Sequence, residues 1–294
     1  MIDPKDIDWN LVWKSQVEEN RASSPGRDCA RIWESRESAL RFWNMCRKER
    51  SRIDQTVWET DMSPSSRVLD IGAGPGTLAI PFAQKAAHVT AVEPAEGMCS
   101  VMKEKMAEFG VSNIDIVQKR WEDVDIASDL SAPYDVVIAS FSLGMKDIRA
   151  AIEKMVLASS RYVYLYHFAG LSSWDIQWQM LWPKLHGKAY RLGPKSDVLY
   201  NVLYQIGIYP NIRSFRLEHN QPYDSLDEAM AALAPQAQAE SEEQKALLKD
   251  YLNGVLKKEE GKLVVPGSSI RVKIWWDKSQ QLPSSDSELR QARL

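Results

Sequence analysis

The residues with most chemistry to offer are two acids placed around a glycine-rich turn. Asp70 stands two positions ahead of the first glycine in Arg67-Val68-Leu69-Asp70-Ile71-Gly72-Ala73-Gly74-Pro75-Gly76-Thr77-Leu78-Ala79. Glu93 closes the run Val89-Thr90-Ala91-Val92-Glu93. The glycines at 72, 74 and 76 let the backbone turn sharply and approach a ligand where a Cβ would collide. A carboxylate at 70 would repel a pyrophosphate but suits a cation. The dinucleotide fingerprint G-x-G-x-x-G would need glycine at 77, where Thr77 stands instead. An acid such as Glu93, roughly twenty residues past the turn, can accept hydrogen bonds from ribose hydroxyls. The pattern predicts a nucleotide-like site for a cationic ligand.

The elements that must position these residues follow from apolar runs. Val68, Leu69 and Ile71 form a short run suited to a strand covered on both faces. A helix is expected from about Thr77 to Ala86, its free N–H groups and positive dipole end facing the turn. Further strands are expected at Val89–Glu93, Ile114–Gln118, Tyr134–Ala139 and Tyr162–His167, alternating with helical segments. That alternation demands a parallel sheet with right-handed crossovers. Asp147 is placed to cap a helix carrying Ile148, Ala151, Ile152, Met155 and Val156.

With these motifs in hand, Val68 to Thr77 resembles motif I of the S-adenosylmethionine-dependent methyltransferases of the Rossmann-like class, class I. Ala91-Val92-Glu93-Pro94 with Met98 resembles the next motif of that class. The resemblance implies S-adenosylmethionine as cofactor, with Asp70, Gly72, Ala73, Gly74 and Gly76 along its methionine part. It implies Glu93 on the ribose and Pro94 to Met98 beside the adenine. Many relatives carry an acid where Arg120 falls, and arginine cannot accept a hydrogen bond. Glu122 or a backbone carbonyl is then the expected acceptor, with Trp121 against the purine face. Ser140-Phe141-Ser142-Leu143 resembles motif IV, whose loop lies between sulfonium and acceptor, so Ser140 is assigned to the cofactor and Phe141 and Leu143 to the acceptor. This loop lacks the [DNS]-P-P-[YF] tetrapeptide of DNA-adenine enzymes, and no cysteine follows a proline as in cytosine-C5 enzymes. DNA is therefore not an expected partner.

The remainder is expected to cover the site. Trp9, Val12, Trp13 and Val17 recur at helical spacing, and a second such run includes Trp33, Leu40, Trp43 and Cys46. Trp33, Phe42 and Trp43 are candidate pocket walls. Trp174, Trp178 and Trp182 mark one stripe of a helix expected to stop at Pro183, and Trp178 is a candidate substrate contact. His167 and His186 are the candidate general bases, needed only if the acceptor is protonated and poorly acidic. Asn211–His219 and the alternating Ile270, Val272, Ile274 and Trp276 predict two further strands, the second half-exposed. Helices are expected at Ser225–Leu233 and Ser241–Lys257.

The fold expected is α/β, a Rossmann-like seven-stranded, mostly parallel sheet. It ends in an antiparallel C-terminal strand and carries a helical N-terminal extension and helical insertions in its C-terminal half. The parts are 1–60 for the extension, 61–170 for the cofactor core, 171–277 for the substrate cover and last strands, and 278–294 for a flexible tail. The formal charge of −3 argues against a broad nucleic-acid face. No apolar run approaches the ~18 residues that span a bilayer, and Met1–Asp6 lacks the features of a secretory signal. Cys29, Cys46 and Cys99 lack C-x-x-C spacing, no metal-ligand cluster is visible, and a cytoplasmic protein is expected. The function expected is in-line methyl transfer from S-adenosylmethionine to a small-molecule substrate, with a homodimer as one option. The alternatives are a protein or RNA methyltransferase, or a non-catalytic regulatory module that binds S-adenosylmethionine.

Overall fold

Short runs that are apolar at every position pack on both sides, and in the computed structural model they form the middle of one sheet. The structure describes residues 6–24, 33–48 and 50–281. Among the described residues, the helices α1 (Trp9–Ser23), α2 (Arg36–Lys48) and α3 (Arg50–Trp58) precede it. Then follow β1 (Arg67–Ile71), α4 (Ala79–Ala83), β2 (His88–Val92), α5 (Glu96–Glu108) and β3 (Ile114–Val117). Next come α6 (Ile126–Asp129), β4 (Tyr134–Ser140), α7 (Ile148–Ala158) and β5 (Ser159–Phe168). After β5 the chain forms α8 (Ser173–His186), α9 (Ser196–Gln205), β6 (Asn211–Glu218) and β7 (Gln221–Tyr223). It closes with α10 (Leu226–Ala237), α11 (Glu242–Val255), β8 (Lys257–Glu259), β9 (Lys262–Val265) and β10 (Ser268–Asp277).

The seven strands lie in the order β3-β2-β1-β4-β5-β10-β6, and β10 runs antiparallel to both its neighbours. This is the Rossmann-like arrangement expected of the class. Successive side chains divide between two cores. Val68, Val136, Ile138, Tyr164 and Tyr166 face a core shared with α2 to α5. Leu69, Ile71, Val137, Val163 and Leu165 face the other, shared with α1, α7 and α9. A third core joins α8, α10 and α11 through Trp178, Trp182, Leu233, Leu248 and Leu252, beside the small antiparallel sheet β7-β9-β8. That small sheet was not expected, since its strands are three or four residues long and carry no clear alternation.

The structure departs from expectation at several further points. The helix after the glycine turn is regular only over Ala79–Ala83, because residues 74–78 are spent in turns. Helix α8 does not stop at Pro183 but runs on to His186 and ends at Gly187, whose φ is 65°. Proline in a helix interior costs ~3 kcal/mol. Burying Trp178, Leu181, Trp182 and Leu185 in the third core, at ~1.5–3 kcal/mol for each large apolar side chain, offsets it. Of the proposed tail, residues 278–281 are docked: Lys278 Nζ donates to Val156 O at 2.7 Å, and Asp277 Oδ1 caps Ser279. Residues 282–294, and Cys29, lie outside the described residues.

Strand β10 is not half-exposed. Its polar face lies beneath the end of α3, where Lys273, 5% exposed, donates to Glu59 O at 3.0 Å and reaches Glu59 Oε2 at 3.5 Å. Arg213 on β6 binds the same carboxylate at 2.6 Å. Burial pushes the Lys273 ammonium below its usual range, against the pull of Glu59. Removing one member of such a set strands its partners in low dielectric. Glu59→Gln is therefore expected to lower stability by about 2 kcal/mol, read as a shift in the urea midpoint.

Candidate active site

The carboxyl ends of β1, β2 and β4 bring together most of the residues singled out from sequence. Gly72, Gly74 and Gly76 all have positive φ, at 71°, 56° and 86°. The turn they make is held from below, since Gly72 and Ala73 N–H donate to Val92 O at 2.8 and 3.1 Å. Glu93 grips it from the side: one carboxylate oxygen accepts from Gly74 N and the other from Ala95 N, both at 2.9 Å. Each oxygen keeps a further lone pair for a hydroxyl donor. Phe42 and Met98 flank Gly74, standing 3.9 and 4.0 Å from where a Cβ would be, and Pro94 leads from Glu93 toward α5.

Asp70 is on the same face of the sheet and is 2% exposed, and its Oδ2 has no hydrogen-bond partner. Burial, reinforced by the charge of Glu93, pushes its carboxyl up to about 7. An orphaned buried oxygen beside a backbone cradle is a costly arrangement in isolation. A cationic ligand would satisfy it, so these residues fit S-adenosylmethionine. Burial likewise raises Glu93, against two backbone hydrogen bonds that lower it.

The loop after β4 is tied to this turn. Ser142 Oγ donates to Ile71 O at 2.5 Å, and its Cβ fills the space a side chain at Gly72 would need. Phe141 sits at φ 57°, with its N–H donating to Tyr166 O at 2.9 Å. Its ring begins an aromatic row through Phe168 (5.1 Å between centroids) and Trp174 (5.5 Å) to His219 (4.4 Å). From the opposite face α1 holds the loop: Trp13 Nε1 and Arg21 donate to Met145 O and Gly144 O, each at 2.8 Å. Ser142 was quoted from sequence only as part of this loop, with no role of its own, and Phe168 was not anticipated. The alternation of Tyr162, Tyr164 and Tyr166, carried one step further, would have found Phe168.

Other candidates are taken elsewhere by packing. Trp121 does not face the cleft: it is 3% exposed, donates Nε1–H to Ala151 O at 3.0 Å and packs under Lys154. Glu122 beside it is exposed. Trp43 packs on Phe109 and Lys105, at the far end of α5 from the glycine turn. Leu143 is buried in the core with Trp13 and Met145, and Trp178 lies inside the third core. His186 sits there too, its Nε2 on Ala237 O at 2.8 Å. His167 projects from the opposite face of β5 to Tyr166, toward Trp13, with Nε2 3.0 Å from Pro194 O. That carbonyl fixes the proton on Nε2, and burial pulls the ring down to about 4, so it stays neutral and out of reach of the cleft. A groove of about 510 Å³ between α3 and α4, lined by Trp58, Pro81 and Lys85 among others, contains none of the strand-end residues. Among the described residues no cluster fits a metal ion, and no helix is long and apolar enough to cross a membrane.

The segment ahead of α2 reaches the site through Gly97. A Cβ there would lie 2.5 Å from Ser35 C and 2.6 Å from Glu34 O, and Trp33 packs on Phe42 with centroids 4.9 Å apart. Gly97→Ala gains about 1 kcal/mol of helix propensity but must push residues 34–35 away from α5. Because the obstructing atoms are backbone and not the end of a flexible side chain, the expected result is a net loss of stability, read as a lower urea midpoint, with S-adenosylhomocysteine bound about tenfold more weakly, measured by calorimetry.

Comparison with known proteins agrees with this geometry. Residues 68–158, from β1 to the end of α7, match a family model described as a methyltransferase domain. A Haemophilus influenzae protein of uncharacterized role is 26% identical over 241 residues, covering 80% of this chain and 84% of its own length. The YcgJ protein of Bacillus subtilis superposes with a TM-score of 0.53 at 15% identity, over 76% of this chain and 97% of that one. Coclaurine N-methyltransferase, solved with N-methylheliamine and S-adenosylhomocysteine, gives 0.50 at 16% identity, over 78% and 72%. The sheet order is that of the Rossmann-like fold, and residues 68–158 match a methyltransferase domain within it. The orphaned carboxylate of Asp70 and the glycine cradle beside it fit S-adenosylmethionine as the methyl donor.

Proposed function

We propose that the chain transfers the methyl group to a small-molecule acceptor bound against the aromatic row that starts at Phe141. The observation carrying this reading is the position of Phe141, which follows Ser140 at the end of β4 and adjoins the turn through Ser142. Asp70 would hold the cationic part of S-adenosylmethionine, Glu93 its ribose, and Gly72, Ala73, Gly74 and Gly76 its methionine part. Pro94, Met98 and Glu122 would flank the adenine. The bound donor supplies an activated methyl group on sulfur, so the chain's residues need mainly to orient the acceptor and exclude water. Orientation of that kind contributes ~7–11 kcal/mol. With His167 and His186 turned away, and His219 at the far end of the row beyond Trp174, acceptors already ionised or readily deprotonated at neutral pH are favoured.

Helix α8 begins beside the row and belongs to a body with its own core, suited to covering a small acceptor. Purified protein incubated with methyl-labelled S-adenosylmethionine and separate metabolite, protein and RNA fractions should label the metabolite fraction. Label in protein or RNA alone would overturn the small-molecule reading. Tight cofactor binding without transfer to any fraction would favour the regulatory module. The same reading expects a cytoplasmic enzyme, monomeric or dimeric, and sedimentation distinguishes the two.

A further inference from the structure

The loop after β4 takes its shape from another element. Residues 141–147 are irregular, and irregular backbone must find its hydrogen-bond partners outside a regular ladder. Here α1 supplies them. Trp13 Nε1 donates to Met145 O and Arg21 Nη2 to Gly144 O, both at 2.8 Å. Glu18 accepts from Lys146 Nζ at 3.1 Å, and Asn10 Nδ2 donates to Asp147 Oδ1 at the same distance. Asn10, Trp13, Val17 and Arg21 recur at helical spacing, so one stripe of α1 follows the loop turn by turn. Val17 packs in the core that also holds Leu143 and Met145.

The last turn of α1 is fastened to a different body. Asn20 Nδ2 donates to Arg191 O at 2.5 Å, and Ser23 Oγ accepts from Arg191 N at 3.1 Å. Ser23 O accepts from Trp182 Nε1 at 2.9 Å, and Trp182 is 1% exposed within the third core. On the other side of the loop, Ser142 Oγ reaches Ile71 O, immediately ahead of Gly72. One helix therefore joins the body built around the third core to the loop, and the loop is joined to the donor turn. Arg21 itself is exposed, so its bond to Gly144 O adds little to global stability. It does decide where that carbonyl sits.

Resting on the reading of this loop as the boundary between donor and acceptor, we propose that Arg21 is a positioning residue for methyl transfer. Through it α1 acts as a strut, by which the seating of the third-core body sets the placement of residues 141–147 against the donor turn. An acceptor drawn under that body thereby tightens the donor site, and a bound donor favours the seated body by the same factor.

The test uses the full chain. Hydrogen exchange over residues 141–147 is read without ligand, beside the urea midpoint and, by calorimetry, the affinity for S-adenosylhomocysteine. Arg21→Met is expected to speed exchange in the loop about tenfold and to weaken S-adenosylhomocysteine about fivefold, with the urea midpoint near that of wild type. Arg21→Lys should recover much of both. Asn20 bonds to Arg191 and not to the loop, yet Asn20→Ala should speed exchange in 141–147 severalfold. Added to Arg21→Met it should change little further, since the strut is already cut. Loop exchange unchanged in Arg21→Met, an Asn20→Ala effect confined to the neighbourhood of Arg191, or additive effects in the double variant would each overturn the strut. A fall in the urea midpoint with exchange rising across the whole chain would also overturn it, as the mark of a purely structural contact. Failure of wild type to bind S-adenosylhomocysteine would instead overturn the methyltransferase reading, while the ligand-free exchange would still judge the strut.

Discussion

Asp70→Asn is expected to weaken S-adenosylmethionine binding on the order of 100-fold, about the effect of deleting a buried charged partner. It should at the same time stabilise the ligand-free protein at pH 8. The two effects have one cause. Burial and the neighbouring Glu93 hold the Asp70 carboxyl at about 7 in the folded protein, against roughly 3.9 in an unfolded chain. The folded state therefore binds the proton more strongly, and stability falls as pH rises from the ordinary carboxylate range through about 7. Asparagine has no such titration, so the variant's unfolding midpoint should vary less with pH over that window. A cationic ligand favours the ionised form, so wild-type affinity should rise between pH 6 and 8, with a proton released on binding at the lower end. Calorimetry in buffers of different ionisation enthalpy reads both quantities. An affinity flat with pH and unchanged in the variant would remove Asp70 from the site.

Gly72→Ala is expected to abolish measurable S-adenosylhomocysteine binding and to cost about 3 kcal/mol of stability. Alanine at a φ of 71° costs ~1–2 kcal/mol, and the rest comes from collision with the Ser142 Cβ, an atom too close to the backbone to swing aside. The control is Gly74→Ala, which has a similar φ of 56° but no atom nearer than 3.9 Å to the added carbon. It should show the dihedral cost alone. Gly72→Ala/Ser142→Gly relieves the collision and forfeits the hydrogen bond to Ile71 O, so partial recovery is expected. Urea unfolding of the three variants beside wild type separates these contributions. A double variant no more stable than Gly72→Ala would mean that this contact does not couple the turn to the loop.

Much of the cofactor side is legible in the residues themselves because it is local. An acid, three glycines and a following strand with a terminal glutamate lie within a few tens of residues. Strand geometry leaves little choice about where they go. Asp70 and Glu93 come onto one face because residues 68 and 70 of β1 and 89, 91 and 93 beyond it alternate in step across a parallel register. Sheet order and the antiparallel β10 likewise follow from β-α alternation joined to the resemblance of the motifs.

The acceptor side depends on contacts between segments far apart in sequence. Trp121, Trp43, Leu143 and Trp178 have the composition of a pocket wall, but apolar aromatic side chains serve equally as core. Only tertiary packing assigns them to α7, to α5, to the core shared with α1, α7 and α9, and to the third core. His167 was turned away by the parity of its strand, a single-residue matter that also brought Phe168 and Tyr166 to the opposite face. Arg271 and Lys273 resemble the wet side of an edge strand until α3, some two hundred residues earlier, is laid over them. The sequence by itself thus determined which class of donor is bound and how the sheet carries it, because those depend on neighbours along the chain. Tertiary structure alone decided which aromatic and charged groups gather around the loop after β4, because burial is set by what lies opposite and no local pattern encodes it.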